Sequence, residues 1–363
     1  MTISTSAPRR LASLDVLRGL TLIGMICANY SDDLKEAGFH VFPLLLHAHW
    51  EGFHIADSLF PGFLLMSGVS IPLAGKSDGL TAGAFRTLLF RSLRLILIGV
   101  LVSNSGWIMS PFTETFRPEG VLQRIGVAYF FAGLLYYTTG PRQRLSIAAA
   151  LLLGYWLLAS LPFPDGTTNF LVRGANFSSW IDRAVFGSHV YVTQPLAFDP
   201  EGLLGDLPAI AQALIGVAVG QWVLARKDAG RLALAGIAMI VVGLAWSLFF
   251  PIVKALWSSS FVLLSSGVAT LALSGLYAVM DRRGLSLGWT AFLTAFGINS
   301  IFAYVLHQIF EPLLQAPILK TLYLAASPYC GDEVAALLPI AVLCALMSAV
   351  LLYMRKRAWI VKV

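Results

Sequence analysis

Apolar residues in this chain are gathered into long runs, each close to the roughly 20 residues that a helix needs to cross a bilayer. Ten runs predict ten helices: about Leu11–Tyr30, His54–Ala74, Phe85–Val102, Gly120–Tyr137, Leu145–Leu161, Leu203–Leu224, Leu232–Phe250, Phe261–Met280, Thr290–Phe310 and Val334–Met354. The joints between them are polar and carry stop signals, such as Gly75-Lys76-Ser77-Asp78-Gly79, Gly140-Pro141-Arg142-Gln143-Arg144 and Asp281-Arg282-Arg283-Gly284. Residues 162–202, rich in Pro, Asn, Gly and Asp, are too long for an ordinary linker and are expected to cap something. Pro251–Ser260 reads as a short re-entry. The expected fold class is an all-α polytopic membrane protein, with one transmembrane domain over 11–354 and tails at 1–10 and 355–363. No small-residue cleavage site follows the first run, which is therefore expected to stay as an uncleaved anchor.

Composition agrees with the pattern. Of 363 residues, 57% are hydrophobic and 12% charged, with a mean hydropathy of +0.77. A soluble domain is about 25% charged, so this chain belongs in a bilayer. The net charge of +6 needs no nucleic-acid partner, because the placement of Lys and Arg accounts for it. Arg9-Arg10, Lys76/Arg86, Arg142/Arg144, Arg226/Lys227/Arg231, Arg282/Arg283 and Arg355/Lys356/Arg357 fall on every second joint. The positive-inside rule then predicts that all six face the cytoplasm, with both termini among them. Cys27, Cys330 and Cys344 show no ligand spacing and read as buried small hydrophobes, with no disulfide framework.

The densest chemistry lies in His47-Ala48-His49-Trp50-Glu51-Gly52-Phe53-His54-Ile55-Ala56-Asp57, at the mouth of the second helix. Titratable groups at the edge of a membrane helix point to function; the alternative is an interfacial loop among lipid headgroups. The predicted orientation gathers further polar groups on the same outer side: Asn29, Gln123, Arg124, Lys254, His307 and the 162–202 loop. His47 is the candidate base, because imidazole takes and gives a proton near neutral pH. Asp57 and Glu51 compete for the role of the acid that fixes its tautomer, and Asp57 can equally cap the second helix. Asn29 can offer an amide to a developing oxyanion. Asp199 and Glu201 either hold a hydroxylated or cationic substrate or cap the sixth helix. Gln123-Arg124 either faces substrate or pairs with a loop acid. His49 and His54 read as interfacial. No metal is expected, because the histidines lack a helical i, i+4 pair or a cysteine partner. Gly216-x-x-x-Gly220 reads as close helix packing.

The blocks Leu14-Asp15-Val16-Leu17-Arg18-Gly19, Asn29-Tyr30, His47-Ala48-x-Trp50-x-Gly52 and Ala56-Asp57-x-x-Phe60-Pro61 resemble heparan-alpha-glucosaminide N-acetyltransferase and its bacterial relatives. So do Gly120-Val121-Leu122-Gln123-Arg124, Asp199-Pro200-Glu201-Gly202, Leu256-Trp257-Ser258-x-Ser260-Phe261-Val262 and Asn299-Ser300-Ile301. They occur in the family's order over nearly the whole membrane part.

The resemblance implies a transmembrane acyltransferase bundle in the bacterial inner membrane that passes acetyl from cytosolic acetyl-CoA to an amino sugar outside. It implies His47 as the catalytic histidine, assisted by Asn29, and Asp57 is expected beside them as the acid that orients the ring. The acceptor site is expected to draw on Trp50, Glu51, Gln123, Arg124, Asp199, Glu201, Lys254, Asn299, Ser300 and His307. Arg86, Arg91 and Arg94 could meet the phosphates of acetyl-CoA, or serve as anchors that snorkel to lipid headgroups. A homodimer is implied by the family alone. The animal enzyme's extra lumenal N-terminal domain and its helix are expected to be missing, leaving ten helices. Two other functions stay open: an O-acyltransferase of envelope glycans, and a transporter of a small polar solute, since polar groups within a membrane also line transport paths.

Overall fold

The computed structural model describes residues 11–74, 79–111, 115–164, 166–225, 228–285, 288 and 290–361. Arg9, Arg10, Lys76, Arg226 and Lys227, which carry much of the predicted orientation, lie outside them. In chain order the α-helices are α1 (Ala12–Glu36), α2 (Leu59–Ala74), α3 (Ala82–Ser103), α4 (Ser105–Met109), α5 (Val121–Thr138), α6 (Pro141–Ala159) and α7 (Phe177–Phe186). Then follow α8 (Asp206–Leu224), α9 (Ala229–Trp246), α10 (Ser259–Leu276), α11 (Thr290–Ile298), α12 (Ser300–Phe310), α13 (Pro317–Cys330) and α14 (Asp332–Lys356). Among the described residues, extended pairing is limited to isolated bridges.

Among the described residues, six segments are long and apolar enough to cross a bilayer: Ala12–Glu36, Ile55–Ala74, Leu203–Leu224, Ala229–Trp246, Ser259–Arg282 and Asp332–Lys356. The chain is a polytopic helical membrane protein. Nine of the ten predicted runs are found as helices shifted by a few residues. The ninth is corrected. Instead of one straight helix from Thr290 to Phe310, α11 and α12 meet at 88°, and Asn299 sits at the break (φ −108°, ψ 38°). An apolar run specifies burial rather than straightness, so the bend is invisible in the pattern. Three short helices were also not foreseen: α4, α7 inside the 162–202 connection, and α13. Cys330 ends α13 exposed rather than buried.

The chain divides into two compact units. The first holds Trp50–Gly52 and Leu64–Ser274. Here α2 lies against α8 through small residues, as the Gly216-x-x-x-Gly220 spacing predicts. A methyl group at Gly216 would run into the Leu65 carbonyl, and one at Gly220 into the Val69 carbonyl. Without side chains at these two positions the backbones approach closely, which is how membrane helices gain packing contacts. Gly216→Val is expected to cost folded yield and lower the thermal unfolding temperature in detergent, with Gly154→Val, which meets nothing within 4 Å, as the tolerated control. An aromatic and aliphatic cluster forms a core of this unit from Trp50, Tyr155, Phe198, Phe250, Val253 and Leu256.

The second unit holds Leu11–His49, Phe53–Phe63 and Gly275–Val363. Its centre is α1. The first backbone N–H groups of that helix, at Ala12 and Ser13, each donate at 3.1 Å to the Asp281 carboxylate, satisfying donors that a helix start leaves open. Gly19 packs on the backbone of Leu293, and Gly297 on that of Asp15, so α11 crosses α1 with no side chain between them. Towards its other end α1 joins α12, α13 and α14 in a core that includes Ile26, Tyr30, Phe296, Tyr323, Ile340 and Met347.

Candidate active site

In the second unit, the loop from α1 to α2 folds back on itself around one carboxylate. Asp57 is fully buried. Its Oδ1 faces His47 Nδ1 at 2.8 Å, and its Oδ2 accepts from the backbone N–H groups of Ala48 (3.1 Å) and His54 (2.9 Å). Asp57 is thus placed to do both things weighed for it. It closes the one-turn helix Ile55–Ser58 that leads into α2, and it holds His47. A carboxylate accepts, so Nδ1 of His47 carries the proton and Nε2 presents its lone pair outward. His54 is exposed, with its Nδ1 at 2.9 Å from the Leu46 carbonyl, and so braces the loop. His49 is exposed.

The next turns of α1 add two more groups. Asp32 Oδ2 lies 3.7 Å from His47 Nε2. Asn29, three residues earlier and so on the same helix face, directs its Nδ2 to His307 Nε2 at 3.1 Å. His307, on α12, is fully buried. Its backbone carbonyl accepts from the Tyr30 hydroxyl at 3.1 Å, and Gln308 Nε2 reaches its Nε2 at 3.2 Å. The structure thus joins His47 with Asp57, and Asn29 with His307. Asn299 is engaged elsewhere in this unit. Its Nδ2 donates to the Trp359 carbonyl at 3.0 Å, and its Oδ1 accepts from Val361 N at 2.9 Å, which ties the C-terminal backbone to the bend. Ser300 is the half-buried first residue of α12.

The first unit has its own polar group. Arg117 forms charged hydrogen bonds with both Asp199 and Glu201. Burial works against its charge, but the two carboxylates outweigh that and hold the guanidinium above its usual range. Asp199 also accepts from Tyr191 N (3.1 Å) and Glu201 N (2.9 Å), so its oxygens organise the loop rather than cap α8. Arg124 on α5 pairs with Asp206 at 3.3 Å and donates to the carbonyls of Pro200 (3.1 Å) and Gly202 (2.8 Å). Its guanidinium lies 4.9 Å from the centre of the Trp257 ring. Trp257 is buried in the left-handed region (φ 52°, ψ 42°), a rare conformation for a bulky residue. Its indole N–H donates to Gln212 Oε1 at 3.0 Å. Gln212 in turn donates to the hydroxyls of Ser265 and Ser266, both at 3.1 Å.

The remaining predicted residues of this unit have plainer surroundings. Trp50 is buried and donates to the Phe170 carbonyl at 2.8 Å. Glu51 is exposed, its backbone bridged to Val253. Gln123 is buried, with Nε2 at 3.3 Å from the Pro118 carbonyl. Lys254 starts a one-turn helix and is half-buried. Arg91 donates to the Tyr129 hydroxyl at 3.2 Å and lies 4.7 Å from the centre of that ring. Arg86 and Arg94 are exposed.

Arg117, Gln212, Asp206 and Asp182 were not among the predicted site residues. A repeated phrase could have found the first: Arg117-Pro118-Glu119-Gly120 opens α5, and Asp199-Pro200-Glu201-Gly202 precedes α8, with leading residues of opposite charge. Asp182 on α7 accepts from the backbone N–H groups of Leu203 (3.1 Å) and Asp199 (3.5 Å). Burial, then the charge of Asp199, pushes its carboxyl up to about 7, and burial does the same to Glu119. Between about pH 4 and 7 the folded chain therefore keeps protons that the unfolded chain has lost, so this contribution to stability is present in acid and lost as pH rises through 7. Asp182→Asn is expected to make the thermal stability of the detergent-purified protein less dependent on pH between 5 and 8, and an unchanged slope would contradict this.

The family described as heparan-alpha-glucosaminide N-acetyltransferase, catalytic, matches residues 10–245. Heparan-alpha-glucosaminide N-acetyltransferase of Homo sapiens is 32% identical over 368 aligned residues, covering 85% of this chain and 54% of the relative. The Mus musculus protein of the same name is 30% identical, with 84% and 54% covered. The chain thus spans about half the length of these curated relatives. The match over 10–245 takes in the His47–Asp57 loop and the Arg117 and Arg124 clusters, and the chain belongs to the heparan-alpha-glucosaminide N-acetyltransferase catalytic family.

Proposed function

We propose that this protein is a membrane-bound acetyltransferase that moves acetyl from cytosolic acetyl-CoA to the amine of a glucosamine-type sugar on the extracytoplasmic side. The observation that carries this is the 2.8 Å contact of His47 with a buried, otherwise satisfied Asp57. A histidine fixed in the Nδ1–H tautomer is a base at Nε2. That nitrogen can take the proton of the sugar amine while the amine attacks the thioester directly. It can also be acetylated first and pass the group on.

The family relationship supports acetyl-CoA and a glucosamine-containing acceptor as substrates. In the orientation proposed here, α1, α2, α3, α5, α6, α8, α9, α10, the α11–α12 pair and α14 are ten passages through a bacterial inner membrane, with both termini in the cytoplasm. The basic joints support that orientation. Arg86 and Arg94, exposed on α3, would meet the phosphates of the donor from the cytoplasmic face, with Arg91 held against Tyr129 beside them.

Release of CoA from acetyl-CoA by the detergent-purified protein, with and without glucosamine, tests the proposal. Glucosamine-dependent release that is lost in His47→Ala is the expected result. Release of about one equivalent without acceptor would favour the acetyl-histidine route. No release and no binding of acetyl-CoA would overturn the enzyme and leave transport of a polar solute as the better account.

A further inference from the structure

The imidazole of His307 is a buried donor without an acceptor. Two side-chain amides, Asn29 Nδ2 at 3.1 Å and Gln308 Nε2 at 3.2 Å, address its Nε2. An amide nitrogen can only donate, so Nε2 accepts and the ring proton sits on Nδ1. That Nδ1 has no hydrogen-bond partner among the described residues, although the side chain is fully buried. The rings of Tyr30 and Tyr304 stand in edge-to-face arrangements with it, centroids 4.8 and 6.2 Å away, so aromatic rings flank it. The Tyr30 hydroxyl fixes the backbone at the same residue. Buried N–H groups in folded proteins are paired, and an orphan held this firmly asks for a ligand.

We propose that Nδ1–H of His307 binds the acetyl carbonyl oxygen and stabilises the oxyanion formed during transfer. The role rests on the acetyltransferase function proposed above. It also relocates a task that the sequence offered to Asn29, whose amide is engaged in setting the His307 tautomer. Asn29 and Asp32 are one turn apart on one face of α1, and they address His307 and His47 respectively. One helix face therefore carries both imidazoles. The sugar nitrogen attacks the acetyl carbon, and a C–N bond forms as the carbonyl electron pair moves onto oxygen, held by His307 Nδ1–H. His47 Nε2 takes the amine proton. Collapse of the oxyanion breaks the C–S bond, and the departing CoA thiolate receives that proton from His47.

The test compares binding of two unreactive donors to the detergent-purified protein: acetonyl-CoA, which has the carbonyl, and S-propyl-CoA, which lacks it. Wild type should prefer acetonyl-CoA by about tenfold, the worth of one well-placed hydrogen bond. His307→Phe should bring the ratio near one, His307→Gln, whose amide can donate, should restore part of it, and His47→Ala should keep it. A preference that survives His307→Phe overturns the proposal, as does a wild type that binds both analogues equally. A wild type that binds neither analogue overturns the acetyl-CoA reading itself. If His307→Phe alone fails to fold, the His307→Gln ratio decides: a preference lowered from the wild-type value supports the proposal, and an unchanged one overturns it.

Discussion

Asp57→Asn is expected to lower kcat for glucosamine-dependent CoA release by about 10³- to 10⁴-fold while changing KM little. The substitution keeps the size of the side chain and leaves an oxygen for the N–H groups of Ala48 and His54, which lie 3.1 and 2.9 Å from the native carboxylate. It changes what His47 meets at 2.8 Å. An amide nitrogen there donates, so Nδ1 must accept and the proton moves to Nε2, where a base is needed. The ring stays in place with its lone pair on the wrong side. Asp57→Ala should add a loss of thermal stability, because the backbone N–H groups of Ala48 and His54 then lose their acceptor, at about 1 kcal/mol each. A kcat for Asp57→Asn within tenfold of wild type would remove the tautomer role and leave Asp57 as a loop anchor.

Arg124→Leu is expected to destabilise the fold by about 3–5 kcal/mol, the usual result of stranding one member of a buried ion pair. Arg124 is 1% exposed and is the charged partner of Asp206. Removing it also leaves the carbonyls of Pro200 and Gly202 without their donor. The measurement is thermal unfolding of the detergent-purified variant. Adding Asp206→Asn should recover part of the loss, since the stranded charge disappears while the carbonyls stay unpaired. If the double variant is no better than the single one, the two carbonyls rather than the ion pair account for the cost.

The nine long helices were legible because each follows an apolar run, a signal that depends on composition rather than geometry. The His47–Asp57 pair was half legible. Three histidines and two acids in eleven residues pointed to the loop, but Glu51 competed with Asp57 on sequence distance, and only the fold shows that Asp57 is buried against His47 while Glu51 is exposed. His307 was visible as a lone imidazole in an apolar run, yet its partner Asn29 is 278 residues away, beyond any local pattern. The bend at Asn299 was hidden because both halves are apolar. Trp257 was hidden for another reason: a left-handed backbone announces itself through glycine or asparagine, and a tryptophan there must be held by tertiary contacts such as those of Gln212 and Arg124.

The right-angle break between α11 and α12 has one more consequence. A continuous helix would fix His307 through its own hydrogen-bond ladder, with the position inherited from everything before it. Across the break that inheritance stops, and His307 is placed by Tyr30 and Asn29, two adjacent residues of α1. The same rod reaches His47 through Asp32. It acts as a ruler for both imidazoles, and an axial slip of one residue, about 1.5 Å, would carry Asn29, Tyr30 and Asp32 out of alignment together. Small-residue contacts far down that rod, Gly19 on Leu293 and Gly297 on Asp15, therefore set the register of Asn29, Tyr30 and Asp32 against the residues they address.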